Sequence, residues 1–294
     1  MAIVGKRSVG EIIFDSANMV LLLCICTVTI YPFLYIIAVS LSARGPVMRG
    51  EVFVLPIGIN VKSYIEVLKN EYIFISYGNT IFVVVIGTFL SLVFTALAAY
   101  PLSKRFLVGR KVFLFIMAIT LWFNAGMIPR FLVIRNLGLL DRLWAVILGP
   151  LMSAFYIIVM RSFFENLPES LEDSARIDGA SYWTVLLRIV VPLSKPVLAT
   201  IALWKSVQYW NMFMAPLLYL KSSDKYTLQL ILRDIVIAAT GIGFGQEGID
   251  QEFEVVGETV RAATILVATI PILMIYPFVQ KYFVKGALIG SVKG

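Results

Sequence analysis

Four polar side chains inside one apolar stretch are the first candidates for chemistry. Trp204, Gln208 and Asn211 recur at spacings of four and three, and Lys205 stands beside Trp204. On a helix of 3.6 residues per turn the first three fall within about 60° of arc. An aromatic ring with two amides suits the faces and hydroxyls of a sugar, and an ammonium suits a carboxylated one. The same residues serve equally for helix–helix hydrogen bonding, with a lysine that snorkels or lies at an interface. Asn124 and Asn79 also lie in apolar runs; polar groups there tend to face a cavity or the bundle interior. A second cluster is ionic. Glu172, Asp173, Arg176 and Asp178 ring a short polar stretch that can dock into a cleft on another protein.

What is missing narrows the chemistry further. There is no histidine, so no imidazole base, metal ligand or pH switch is available. Cys24 and Cys26 sit two apart in an apolar run, without the spacing of a zinc or redox pair. No cofactor or metal is expected on this chain. No carboxylate pair or serine–lysine pair can be placed on facing helices, which argues against an intramembrane enzyme. Gly241, Gly243, Gly245 and Gly248 lack a preceding strand and a following Gly-Lys-Ser/Thr, so they read as a flexible acidic loop and not as a nucleotide site.

The elements that hold these residues follow from composition. The chain has 294 residues, 60% of them apolar and 15% charged, with mean hydropathy +0.89. A soluble domain carries about 45–50% apolar and roughly 25% charged residues. The expectation is an all-α membrane protein. A helix needs about 20 apolar residues to cross a bilayer core. Six stretches qualify, at about 17–41, 73–100, 112–134, 143–164, 197–219 and 262–282. The first follows Lys6 and Arg7 and precedes Ala38-Val39-Ser40, as in a signal peptide. Its apolar run is too long for one, since such runs span about 7–15 residues. Pro32 and Pro101 are expected to kink or end their helices. With no internal repeat or linker, residues 1–294 read as a single transmembrane domain.

Six spans put both termini on one side, together with the short loop 101–111. That loop carries Lys104, Arg105, Arg110 and Lys111, so the termini are expected in the cytoplasm. The net charge of +7 then reads as topology and attraction to anionic lipid headgroups, not to nucleic acid. On the outer side, residues 43–72 suit a structured loop that can touch a partner. Leu228, Ile231, Leu232, Ile235 and Ala239 recur at helical spacing and suggest a short amphipathic helix lying at the interface.

The inner loop 165–196 is more than a connector by pattern. Pro168 suits a first helical turn, Glu169, Glu172 and Asp173 favour the positive end of its dipole, and Gly179 suits its C-terminal stop. Ser181 can cap a second helix through Tyr182, Val185, Leu186, Ile189 and Val190, bounded by Pro192 and Pro196. Residues 161–196 hold five acids and four bases, so a DNA-binding helix-turn-helix fails on charge. A docking element and a plain interfacial connector both satisfy these residues.

Asp173-Ser174-Ala175, Gly179, Ile189, Pro192 and Pro196 match the spacing of the EAA motif of ABC importer permeases, with Asp173, Ser174 and Val191 in place of Glu, Ala and Leu. The run Leu171 to Ser181 resembles the carbohydrate-importer branch. So do Gly78-Asn79-Thr80, Ala98 to Ser103 and Tyr209-Trp210-Asn211, over residues 12–294 in all. The resemblance implies a type I importer permease, with two cytoplasmic coupling helices seated in a groove of an ATPase. Glu172, Asp173, Ser174, Ala175, Asp178, Gly179 and Pro192 would carry that coupling. It also implies a second homologous permease, two ATPase subunits that bind ATP and Mg, and an extracytoplasmic solute-binding protein. The run Tyr276 to Gly286 looks like permeases for complex or acidic oligosaccharides of the alginate type. An ion-driven secondary transporter would be expected to carry acidic residues within its spans, and the six stretches hold no central Asp or Glu. An ABC permease for a non-sugar solute would share the coupling loop.

Overall fold

A computed structural model describes residues 9–238, 257–271 and 273–274, and no strand occurs among them. The chain divides into two compact units, Met1–Asn70 with Ile235–Ala268 and Glu71–Asp234 with Thr269–Gly294.

The first unit is dominated by α1, Val9–Ser40, apolar along its whole length. Pro32 sits inside it without ending it, and the hydroxyls of Thr27 and Thr29 donate to the carbonyls of Leu23 and Ile25 at 2.9 and 2.7 Å. A polar side chain in an apolar run is thus satisfied by its own helix. Beyond α1 come α2, Arg44–Met48, and α3, Lys62–Lys69. The amide of Ala43 donates to the carbonyl of Ile57 at 3.0 Å and that of Asn60 to Leu41 at 2.8 Å. Residues 43–70 therefore fold back on the end of α1 as a structured segment. Ala38 and Val39 pack there with Val47, Val52 and Ala262, the last on a helix at 258–271.

The second unit is built around α4, Glu71–Ser103. Its buried face runs through Ser76, Thr80, Val83, Gly87, Ser91, Thr95 and Ala99. Small residues about every fourth position let a neighbouring helix approach closely. Around it stand α5, Arg110–Trp122, α6, Met127–Asn136, α7, Leu143–Leu148, and α8, Ala154–Glu165. Next come α9, Glu169–Ile177, α10, Tyr182–Val185, a π-helical turn at Leu186–Val190 and α11, Val191–Leu193. The unit continues through α12, Lys195–Trp210, and α13, Met214–Tyr219. The next α-helix, α14, Leu228–Ala238, contains the boundary between the units. Both α12 and α8 pack along α4.

The all-α expectation holds, but the spans are less regular than hydropathy suggests. Among the described residues two helices, α1 and α4, are each long and apolar enough to cross a bilayer. The predicted span 112–134 breaks between α5 and α6, which meet at 113°. Gly126 adopts φ +80° in the break, and its amide donates to Asn124 Oδ1 at 3.1 Å. The span 143–164 breaks at residues 149–153, and 197–219 stops at Trp210 before resuming as α13. A hydropathy window averages over such breaks because they are short and hold few polar residues, Asn124, Ser153 and Asn211 among them. Of the span 262–282, residues 272 and 275–282 lie outside the described residues, as do Ala239, Gly241, Gly243, Gly245, Gly248, the run from Tyr276 to Gly286 and both chain ends.

One correction concerns α14. It is amphipathic, but Leu228, Leu230, Ile231, Leu232 and Ile235 are buried in protein. The amide of Leu228 donates to Thr80 Oγ1 on α4 at 2.9 Å. The apolar face is covered by the chain itself and is not left for lipid.

Candidate functional site

The segment 165–196 folds into the two short helices its sequence suggests. Pro168 occupies the N-cap of α9, with Glu169 and Glu172 in the first turn. At the other end Gly179 takes φ +83°. The amide of Ala180 donates to Ala175 at 2.9 Å and that of Gly179 to Arg176 at 3.0 Å. These two bonds define a Schellman stop, in which a left-handed residue closes the helix on its own last carbonyls. Ser181 then caps α10, its Oγ accepting from the amide of Thr184 at 3.3 Å. Val185, Leu186 and Val190 anchor this second helix in the same core as Met160, Phe164 and Ile201. From Tyr182 to Leu193 the chain runs as one rod, then bends by 80° at Ser194 into α12.

What the element shows to solvent decides what it can do. Asp173, Ser174, Asp178, Gly179 and Pro192 are exposed, whereas Ala175 is half-buried against the core. Two apolar side chains stand out between the charges, Ile177 at 87% and Trp183 at 61% exposure. They were not anticipated, although an Ile between Arg176 and Asp178 beside a helix stop is a detectable anomaly. A firm turn presenting apolar tips ringed by charge has the make-up of a docking knob.

Glu172 is the exception within the cluster. Its carboxylate turns inward, ion-pairs with Lys104 just after α4, and accepts from the Tyr100 hydroxyl at 3.4 Å. The Lys104 ammonium also lies 4.8 Å from the centre of the Tyr100 ring. Next to it Arg110 donates to the Leu102 carbonyl at 2.9 Å and pairs with Glu165, which also binds Arg161. A cleft of about 620 Å³ opens here, lined among others by Arg105, Asn166, Asp173 and Arg176.

The polar residues of α12 separate into two groups. Lys205 is fully buried; its ammonium donates to the Pro150 carbonyl and lies 4.8 Å from the Tyr156 ring centre. Trp204 is half-buried beside Phe155 and Tyr156, with ring centres 5.8 and 6.0 Å away. Gln208 and Asn211 are exposed, and the Asn211 amide donates to the Val207 carbonyl at 3.0 Å, closing the helix end. Asn124 is exposed in the α5–α6 break.

Asn79 has a structural task. Its amide donates to the carbonyls of Asp224 and Tyr226 at 2.8 and 3.0 Å. The same 221–226 segment is held from its other side by Asp141, a non-glycine residue at φ +56°. Asp141 accepts from the amides of Lys221 and Ser222, the Ser222 hydroxyl and the Lys225 ammonium. Burial pushes the Asp141 carboxyl up, but these hydrogen bonds together hold it well below the usual carboxylate range. Burial raises the nearby Tyr226 phenol, with Asp234 and Asp141 adding to the shift.

This arrangement has known counterparts. Residues 15–288 match the family described as "Binding-protein-dependent transport system inner membrane component". The chain is 41% identical over 282 residues to the polygalacturonan/rhamnogalacturonan transport system permease protein YtcP of Bacillus subtilis, covering 96% of this chain and 99% of that one. It is 27% identical over 275 residues to the arabinooligosaccharides transport system permease protein AraQ of Halalkalibacterium halodurans, covering 92% and 93%. A solved structure of a bacterial ABC transporter involved in the import of the acidic polysaccharide alginate superposes with TM-score 0.87 at 40% identity, covering 95% of this chain and 99% of that chain. With matches of this extent and an all-helical fold, the chain belongs to the binding-protein-dependent transport system inner membrane components: it is a type I ABC importer permease, a transport subunit and not an enzyme.

Proposed function

We propose that this chain forms half of the translocation pathway of an ATP-driven importer for an acidic oligosaccharide. It pairs with a second, homologous permease. Two cytoplasmic ATPase subunits bind ATP and Mg and engage α9 and α10, while a solute-binding protein delivers the sugar from outside. The termini then lie in the cytoplasm, on the side of the basic loop 101–111. The observation that carries this reading is the capped helix pair. The Gly179 stop and the Ser181 cap make it rigid, and the rod 182–193 continues into α12, so a contact that differs between two states of a partner can shift the membrane helices. Support for an acidic cargo comes from the relatives: the YtcP protein is named for polygalacturonan and rhamnogalacturonan, and the superposable transporter for alginate. Gln208, Asn211 and the Trp204 ring are the residues of α12 we assign to meet it, with Asn124, exposed in the α5–α6 break, as a further candidate. Lys205 acts on an anionic cargo through its field, since its ammonium is already bonded.

The test is uptake of a labelled uronate oligosaccharide by cells with and without the chain. Uptake that requires the chain, exceeds that of a neutral oligosaccharide and survives collapse of ion gradients while ATP is maintained supports the proposal. Uptake abolished by that collapse with ATP intact contradicts it in favour of an ion-driven carrier.

A further inference from the structure

The first coupling helix is attached in an unusual way. No side chain of α9 is fully buried, although α10 and the turn after it bury Val185, Leu186 and Val190. Holding α9 to the rest of the unit are half-buried Ala175, the Arg176 guanidinium 4.8 Å from the centre of the Tyr182 ring, and the inward-facing carboxylate of Glu172. That carboxylate meets Lys104, one residue beyond the end of α4, and both side chains are largely shielded, at 13% and 17% exposure. A shielded pair is screened far less by salt than a surface pair and holds its geometry better. The receiving end is firm as well. Tyr100 under the ammonium is buried and packs edge-on against Phe164 of α8, with ring centres 6.5 Å apart. Arg110 ties the Leu102 carbonyl at the same helix end to Glu165 of α8.

Besides the short link 166–168 to α8, two routes lead from the docking element toward the membrane. One is covalent, along the rod 182–193 into α12. The other is ionic, from Glu172 to the tip of α4, the helix against which both α12 and α8 pack. The covalent route leads to α12, whereas the Glu172 carboxylate bears directly on the end of α4. We propose that Lys104 and Glu172 form a strut that fixes α9 to α4, so that a stroke received on α9 moves α4 and α12 together. Lys104 is a positioning residue: it touches neither sugar nor nucleotide, and it acts through Glu172. This inference rests on the coupling reading above and adds a route and a residue to it.

The test uses the intact transporter, purified through a tag on this chain and reconstituted in proteoliposomes with its solute-binding protein. ATP hydrolysis and uptake are measured in the same vesicles. Lys104→Met is expected to keep the subunits together and keep basal hydrolysis, while uptake per ATP falls by roughly tenfold, the scale of losing one partly buried ion pair. The charge swap Lys104→Glu with Glu172→Lys is expected to recover most of that ratio. An unchanged ratio in Lys104→Met overturns the strut, and so does loss of assembly in both variants, which makes the pair a plain fold contact. An unmutated chain that carries no ATPase overturns instead the coupling reading beneath it.

Discussion

Tyr209 of α12 donates its phenolic hydrogen to the carbonyl of Ile147 at 2.9 Å, just before the fourth predicted span breaks. One turn earlier on α12, Lys205 donates to the carbonyl of Pro150 inside the same break. A broken helix leaves carbonyls without amide partners, and in a bilayer no water replaces them. Two side chains of α12 take up those carbonyls, so the break is a built feature. The Tyr209 ring fits because α4 has a glycine opposite: a Cβ on Gly87 would lie 2.6 Å from the Tyr209 ring.

Removing that hydroxyl tests the arrangement. Tyr209→Phe is expected to cost about 1–3 kcal/mol, since it leaves the buried Ile147 carbonyl unpaired and also removes the Ser91 contact at 3.3 Å, and Gly87→Val more because the ring must move. Thermal unfolding in mild detergent should rank the variants in that order. A Gly87→Val protein as stable as the parent would show that α4 and α12 do not pack as described.

Gly179 carries a different load. Nothing lies within 4 Å of a Cβ added there, so a substitution is penalised by its φ of +83° alone. Gly179→Val should strain or undo the stop, at about 1–2 kcal/mol for a left-handed non-glycine residue, and lower uptake at unchanged assembly. Gly179→Asn, which tolerates that conformation, should be milder. Equal uptake by Gly179→Val in a stably assembled transporter would contradict the role of the turn.

The clamp at Asp141 gives a dependence on pH. Its carboxyl is depressed in the folded state, so the stability it contributes is fully present above the unfolded carboxylate value of about 3.9 and is lost as pH falls through the folded value. Asp141→Asn retains the tolerance for φ +56° but loses the charge facing Lys225. The variant should unfold at lower temperature than the parent at pH 7, and the gap should narrow steadily below about pH 4. A gap independent of pH would assign the effect to packing and not to ionisation.

Gln208 and Asn211 separate cargo contact from packing. Alanine at both positions should alter the concentration dependence of uptake while the ATPase stays bound. Since Asn211 also closes its helix end through Val207, Gln208→Ala alone should retain most of the change. Unaltered uptake kinetics in both variants would make these residues part of the scaffold.

The helix pair at 169–193 was legible because its signals are local. Gly179 and Ser181 act through their own backbone turns and lie where their types suggest, while Pro168, expected in the first helical turn, stands just before it at the N-cap. The break at 149–153 was not legible, since the side chains that take up its carbonyls, Lys205 and Tyr209, are remote in sequence, and the break at 123–126 was hidden in an otherwise apolar run. Lys205 shows the same limit: its type suggests a pathway cation, but its bond to Pro150 spans 55 residues. Asn79 likewise holds the carbonyls of Asp224 and Tyr226, far along the chain. Glu172 reads as one of a ring of exposed charges until Lys104 is placed beside it.

The most direct measurement is to purify the tagged chain in mild detergent and identify its co-purifying subunits by mass spectrometry. A second permease together with a P-loop ATPase, the latter lost when the exposed Ile177 is replaced by aspartate, is the predicted result. A chain that is stable, pure and partnerless would contradict the account at its centre.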